Sequence, residues 1–184
     1  MTVAPARQPL TPPTQHPLTQ LTLRIPPGAL QVLVTPEDDV VRAAGFGEDA
    51  GWLVDRLAPA LRDRGLRAGR SPGIERAVSA YADGDLTALD AVAVDQPGGP
   101  FLSQVWRVMR DIAPGTTVTY TELAQAAGRP AAVRAAGQGC ARNLIAPFVP
   151  CHRVVRSDGT FGGYAYGIAT KVALLEHERR HTAA

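Results

Sequence analysis

The chain has 184 residues, 45% hydrophobic and 20% charged, with a formal net charge of +2; this is a globular composition, long enough for one domain or two small ones. It holds no run of eighteen apolar residues, and its opening MTVAPARQPLTPPTQHP has no apolar stretch, so neither a membrane span nor a secretory leader is read and a cytoplasmic location is expected. Two cysteines, Cys140 and Cys151, are too few for a disulfide framework and their spacing is not that of a metal site.

Residues 1–19 carry five prolines and few other apolar residues, which predicts a disordered tail. Leu21–Ile25, Ala29–Val34 and Asp39–Ala44 then read as strands, separated by Pro26-Pro27-Gly28 and Pro36-Glu37-Asp38, the pattern of a three-stranded antiparallel meander. The spacing of Trp52, Leu53, Leu57 and Leu61 predicts a helix over Asp49–Arg64. Ser71 followed by Pro72 opens a second helix to about Tyr81. Ala91–Val94 is a short apolar run and reads as one more strand. Pro97-Gly98-Gly99-Pro100 breaks the pattern, so the expected modules are residues 20–96, a small α+β unit, and residues 97–184.

The second module reads as mostly helical. Phe101, Val105, Trp106, Met109 and Ile112 share one face of a helix over Pro100–Ile112. Thr119 and Glu122 have the form of a capping box for a helix to Ala127, with Gly128 just past its end. Pro130 can open the next helix, which reaches about Arg142. Two short helices joined this way form a helix-turn-helix pattern. Asp158–Gly167, with four glycines and Phe161, Tyr164 and Tyr166, reads as a hairpin or wing, and a last helix carries Lys171, Val172, Leu174, Leu175 and Glu178.

Three features carry chemistry. Charge is uneven: residues 1–96 hold nine arginines against twelve acids, net −3, and residues 97–184 nine arginines and Lys171 against five acids, net +5. A basic half can face a polyanion, though a difference this size also arises by chance. The helix from Pro130 to Arg142 is built of alanine and glycine around Arg134; small side chains admit either a neighbouring helix or the narrow minor groove of DNA. Pro150-Cys151-His152 puts a thiol beside an imidazole. A buried cysteine is often only a small hydrophobe, but a thiol next to a base can become a thiolate nucleophile. Glu178 follows Leu174 and Leu175 at helical spacing and can face inward to orient a histidine. His177 and His181 read as surface residues and Cys140 as a structural packing residue.

The run Pro150-Cys151-His152-Arg153-Val154-Val155, with Ser157-Asp158-Gly159, Gly162-Gly163-Tyr164 and Leu174-Leu175-Glu176-His177-Glu178, resembles the O6-alkylguanine-DNA alkyltransferases, or methylated-DNA–protein-cysteine methyltransferases. Gly99-Pro100-Phe101, Val105-Trp106, Thr119-Tyr120-Thr121-Glu122-Leu123-Ala124, Arg134-Ala135-Ala136-Gly137 and Arg142-Asn143 extend the likeness over roughly residues 96–179. The resemblance implies an α+β fold: a ribonuclease-H-like N-terminal domain with a three-stranded antiparallel sheet, then a mostly helical winged helix-turn-helix domain. It implies a monomer without metal or cofactor, acting on double-stranded DNA carrying O6-alkylguanine, with O4-alkylthymine a further candidate. The alkyl group would pass irreversibly to Cys151, one transfer per molecule, after the base is flipped out through the minor groove.

By the same resemblance, His152 would draw the thiol proton through a water, Glu178 would fix its tautomer, and Tyr120 would donate toward N3 of the flipped base. The carbonyls of Cys151 and Val154 would accept from the exocyclic amine, and the N–H of Ala165 would recognise O6. Tyr164, Tyr166 and Asn143 complete the base pocket, Asn143 also tying the paired helices to the cysteine segment. Arg134 would enter the duplex as a finger, with Thr119, Ala135, Gly137 and Arg142 in the DNA-binding set.

This chain departs from the family pattern at Ala136, where valine is usual, at Leu144, where proline is usual, and at Tyr166, where many members have glycine. Tyr166 predicts a narrow pocket that favours methyl over bulky alkyl groups. A non-catalytic lesion binder is disfavoured because the acceptor cysteine is present. A sequence-reading winged-helix regulator is disfavoured because the second paired helix offers mainly Ala and Gly rather than base-reading side chains.

Overall fold

The structure, a computed structural model, describes residues 15–182. Most of the tail expected over residues 1–19 lies outside the described residues, and Leu18 and Thr19 already belong to the first strand. The chain builds a mixed α+β fold around one buried core drawn from both halves.

Strands β1 (Leu18–Ile25), β2 (Gly28–Thr35) and β3 (Val40–Phe46) form the expected antiparallel meander. β2 lies at its centre and is buried from Ala29 to Thr35, which accounts for its mostly apolar sequence; the buried Gln31 amide donates to Gly47 O and Glu48 O (3.2 Å each). A fourth strand, β4 (Leu66–Ala68), runs parallel to β1, giving the order β3-β2-β1-β4. Its three residues are all exposed, so no apolar alternation announced it.

The helix expected over Asp49–Arg64 is instead two single turns, α1 (Gly51–Val54) and α2 (Pro59–Arg62). Pro59 is the cause: inside a helix it lacks the N–H and clashes with the preceding turn, whereas at N1 both conflicts vanish. α3 (Pro72–Ala82) begins as expected and buries Ile74, Val78 and Tyr81, although the Ser71 side chain makes no capping bond. Ala91–Val94 is no strand; a turn of 3₁₀ helix over Ala88–Ala91 precedes a lone bridge from Val94 to Val41.

In the second half α4 (Pro100–Arg110) buries Val105, Trp106 and Met109. The two-residue strands β5 (Val118–Thr119) and β6 (Val154–Val155) pair in parallel. α5 (Tyr120–Ala126) starts with the full reciprocal capping box between Thr119 and Glu122. It ends at Gly128, φ 78°, where Gly128 N–H donates to Gln125 O and Arg129 N–H to Ala124 O, a Schellman closure. That closure leaves Pro130 in the connecting turn, so α6 (Val133–Arg142) starts three residues later than Pro130 suggested. α6 packs against α4 at Gly139, whose carbonyl accepts from the Trp106 indole (2.9 Å); a Cβ there would lie 2.6 Å from Val105 Cγ1. Close helix packing therefore explains this glycine.

Asp158–Gly167 forms turns, and no strand occurs in it, so the expected hairpin is absent. α7 (Ile168–Thr182) closes the described chain. The two halves are stitched where Ala44 of β3 exchanges backbone hydrogen bonds with Leu144 and Ala146 (2.8 and 3.0 Å). Gln96 adds bonds to Asn143 Oδ1 and Leu144 N–H (3.0 and 2.8 Å). These contacts fix the segment that leads into Cys151. Among the described residues no helix is long and apolar enough to cross a membrane.

Candidate active site

Leu144 to Val155 is buried throughout. This apolar run brings Cys151, at the start of a single 3₁₀ turn over Cys151–Arg153, to a hollow of about 310 Å³. Tyr120, Gly137, Cys140, Ala141, Asn143, Gly163, Tyr164, Ala165 and Tyr166 line the hollow with it. Asn143, the C-cap of α6, donates from Nδ2 to Val149 O (2.7 Å) and to Cys151 Sγ (3.2 Å). Burial pushes the Cys151 thiol up; the Asn143 hydrogen bond and the charge of Lys171 only partly offset it. The resting group is therefore a thiol, and proton removal must accompany any attack by sulfur.

His152 and Glu178 are fully buried, and His152 Nε2 lies 2.8 Å from Glu178 Oε1. Burial lowers the imidazole below its ordinary value despite the neighbouring carboxylate, so the ring is neutral near pH 7. Burial alone would raise the Glu178 carboxyl, but hydrogen bonds and charge from His152 and Arg153 outweigh it and hold it far below the usual range. An ionised Glu178 accepts the Nε2 proton, leaving Nδ1 as the basic nitrogen. Nδ1 is buried without a protein partner.

Glu178 is a hub. Arg153 donates to both oxygens (Nη2 to Oε1 2.9 Å, Nε to Oε2 3.1 Å) and anchors its other end on Ile112 O (2.5 Å). Gly115 N–H donates to Oε2 (3.0 Å) and the Tyr81 hydroxyl to Oε1 (3.0 Å). The inward face expected for Glu178 is thus correct. The surface position expected for His177 is not: it is buried, donating from Nε2 to Tyr81 O (2.8 Å) with its ring tilted against the Tyr81 ring. His181, one turn on, is exposed.

Of the residues singled out from the sequence, the fold brings Tyr120, Gly137, Asn143, Cys151, Tyr164, Ala165 and Tyr166 together around the hollow, with His152 and Glu178 behind its floor. Tyr120 is half-buried at the start of α5, and a Cβ on Gly162 would overlap its hydroxyl. Burial raises the Tyr120 phenol, as do the two cysteines, so it keeps its proton and can donate. Tyr164 Oη is buried without a partner. Val154 is not among the residues lining the hollow; its carbonyl receives Lys171 Nζ (2.5 Å). Arg134 and Arg142 are exposed on α6, apart from the hollow's lining, while Thr119 is occupied as the cap of α5.

Sequence reasoning passed over Arg153, Lys171 and Tyr81. Arg153 stood inside the quoted motif and Lys171 at an inward position of the last helix, so both had a signal. Cys140, expected to pack structurally, shares the hollow's wall. Among the described residues no group of three or more His, Cys, Asp or Glu is placed to hold a metal ion.

A mixed α+β fold with a buried thiol on the floor of a hollow, backed by a neutral imidazole and an ordered carboxylate, defines a site equipped for nucleophilic sulfur chemistry. Residues 100–180 match the family model described as the DNA-binding domain of 6-O-methylguanine DNA methyltransferase. The methylated-DNA–protein-cysteine methyltransferase of Shigella flexneri is 34% identical over 164 residues, 88% of this chain and 95% of that protein. The structure of the Mycobacterium tuberculosis O6-methylguanine methyltransferase superposes with a TM-score of 0.74 at 32% identity, covering 89% of this chain and 94% of that one. The Escherichia coli bifunctional transcriptional activator/DNA repair enzyme Ada is 49% identical over 85 residues, and there the match spans only 24% of its length. The chain belongs to the methylated-DNA–protein-cysteine methyltransferase family.

Proposed function

We propose that this protein repairs alkylated DNA by moving the alkyl group of O6-alkylguanine onto Cys151, once per molecule. The observation that carries the reading is the buried Cys151 on the floor of a base-sized hollow, with Nδ1 of a neutral His152 free and Nε2 held by Glu178. A structure of the Mycobacterium tuberculosis relative in complex with DNA, at 32% identity and a TM-score of 0.72, adds support for DNA as the partner.

In the proposed step Cys151 gives its proton, through a water, to His152 Nδ1 as sulfur attacks the alkyl carbon. The carbon–oxygen bond breaks and its electron pair stays with the guanine, which takes a proton at N3 from Tyr120. The imidazolium proton of His152 then passes through water to the Tyr120 phenolate, so the net change moves one alkyl group from oxygen to sulfur and one proton from sulfur to the base. A thioether is not readily cleaved, so the protein is spent. The carbonyls of Cys151 and Val154 and the N–H of Ala165 are read as the groups that recognise the base, with Asn143, Tyr164 and Tyr166 as walls. Lys171 on the Val154 carbonyl leaves that oxygen one lone pair for the exocyclic amine.

The flipped base must come from duplex DNA, and extrusion costs a few kcal/mol. We read α5 and α6 as a winged helix-turn-helix without a β-hairpin wing, α6 entering the minor groove with Arg134 filling the space left by the base. Ala135, Gly137, Arg142 and Thr119 are read as its neighbours on the duplex. Exposed Arg134 and Arg142 on a helix of small residues support this; so narrow a groove admits little else. The sheet order β3-β2-β1-β4, antiparallel and then parallel, supports the ribonuclease-H-like reading of residues 20–96, with residues 97–184 as the catalytic and DNA-binding part. The protein is read as a cytoplasmic monomer without cofactor.

Incubation with duplex DNA carrying labelled O6-methylguanine, followed by peptide mass mapping, tests the function. One methyl on Cys151, absent from Cys151→Ser, is expected. Label on another residue, or none on folded protein, overturns the proposal.

A further inference from the structure

We infer that Tyr81, from the first half of the chain, is a positioning residue of the transfer reaction: its hydroxyl, 3.0 Å from Glu178 Oε1, sets how firmly that carboxylate holds His152. The inference rests on the transfer reaction proposed above.

Three features single Tyr81 out. It is fully buried at the last turn of α3, and 97 residues separate it from the carboxylate it meets. Its backbone is pinned as well, since His177, beside Glu178 on α7, donates to the Tyr81 carbonyl (2.8 Å). And it donates to Oε1, the oxygen that also faces His152 Nε2 (2.8 Å). Gly115, by contrast, donates to Oε2. Tyr81 and His152 therefore share one acceptor, and neutral donors to an oxygen compete for its charge. A stronger phenol bond draws charge from Oε1 and weakens its hold on the imidazole; loss of that bond strengthens it.

The charged and titratable groups around the pair are Arg153 from the 3₁₀ turn, Lys171 and His177 from α7, Tyr164 from the turn segment, and Cys151 beside His152. Arg153 keeps Glu178 ionised whether or not the phenol is present, so a change at Tyr81 is read at His152. Burial, the charge of Glu178 and the hydrogen bond to it push the Tyr81 phenol far above its ordinary value, so it stays protonated, and a fluorinated, more acidic phenol also keeps its proton near neutral pH.

The test measures single-turnover methyl transfer against pH, and the titration of the His152 imidazole by NMR without DNA, in three full-length proteins. These are the wild type, Tyr81→Phe, and a protein with 3,5-difluorotyrosine at position 81. In Tyr81→Phe the acid limb of the rate and the His152 titration should both move to higher pH, by about 0.5–1 unit, the order of one hydrogen bond to a charged group felt at its neighbour. In the difluorotyrosine protein both should move to lower pH. If Tyr81→Phe does not fold, the fluorinated protein decides by the same criterion. Profiles that coincide with the wild type, whatever happens to the melting temperature, overturn the inference and make Tyr81 a packing residue. A wild type that puts no methyl on Cys151 defeats the proposed function instead, and the NMR titration still judges Tyr81.

Discussion

Glu178 carries more than one hydrogen bond to His152, and that decides what its replacement does. Four residues donate to it from three places in the chain, two of them outside the motif that drew attention to the site. Glu178→Gln removes the charge that Arg153 faces and hands Arg153 and His152 an amide with one acceptor oxygen. Methyl transfer should slow by about 10²-fold, within the range of a lost contribution to proton transfer, and the fold should lose roughly 3–5 kcal/mol because a buried Arg153 is left unpaired. Duplex affinity, which the proposed docking assigns to α6, should stay within about twofold. Gel-shift, stopped-transfer and melting measurements on one preparation separate the three effects, and an unchanged transfer rate removes Glu178 from the relay. Tyr166 is the second residue to judge singly. Its ring meets Tyr164, Phe46 and Trp52 edge-on at centroid distances of 5.6, 5.6 and 5.3 Å, and its hydroxyl reaches Ala44 O (3.3 Å). So many contacts make it a fixed wall of the hollow rather than a swinging one. Wild-type protein should react with O6-methylguanine in an oligonucleotide faster than with O6-benzylguanine in the same sequence. Tyr166→Gly should raise the benzyl rate by about 10-fold or more, the scale on which pocket contacts discriminate. Equal rates in both proteins would show that Tyr166 does not set the width.

At the scale of elements, the division of labour runs between α6, which faces outward, and the segment from Asn143 to Cys151, which faces in. Asn143 joins them, ending one and holding the other through Val149 O and Cys151 Sγ. A change on the outer face should therefore affect duplex substrates and spare the free base. Arg134→Ala should weaken duplex binding and transfer from duplex DNA by about 10-fold or more, the loss of one group that fills an extruded base's place, with reaction toward free O6-benzylguanine reduced much less. Equal losses on both substrates would refute the finger role. The same division explains what the sequence made legible. The start of α3 at Pro72, the capping box of α5 and its end at Gly128 are local signals, each resolved within four or five residues. Cys151 and His152 are adjacent, and Glu178 lies on the inward stripe of a helix. The missed elements depend on distant partners. β4 has no apolar pattern and exists because β1 offers it an edge; β5 and β6 are two residues each and pair across more than thirty. The apolar spacing across α1 and α2 points to one helix, and Pro59, a signal just as local, divides it in two. Tyr81 and His177 show the same limit in the site: each looks like a helix residue of no special kind until α3 and α7 are packed together.

For the whole molecule, the first half acts as part of the site: its sheet braces the cysteine segment at Ala44, and Tyr81 closes the shell around Glu178. Folding of both halves and the state of the relay should then depend on pH together. His152 is held below its ordinary value of 6.5 by burial, so as pH falls through that value the unfolded chain takes up a proton before the folded one does. Glu178 is held far below its ordinary value of 4.5; burial acts the other way but is outweighed by His152 and Arg153. Again the unfolded chain binds its proton first, at lower pH. In both cases the unfolded state carries more protons within the window, so stability rises with pH through it. The contribution is complete above about pH 7 and is lost progressively on acidification, first from His152 and then, below about pH 5, from Glu178 as well. Melting temperatures taken by circular dichroism from pH 8 down to pH 4 should be level at the alkaline end and fall in two overlapping stages. In His152→Gln the upper stage should disappear, and in Glu178→Gln the lower one. A wild-type melting temperature constant from pH 7 to pH 4 would mean that neither group changes its proton affinity on folding, and the neutral imidazole on which the relay depends would lose its physical basis.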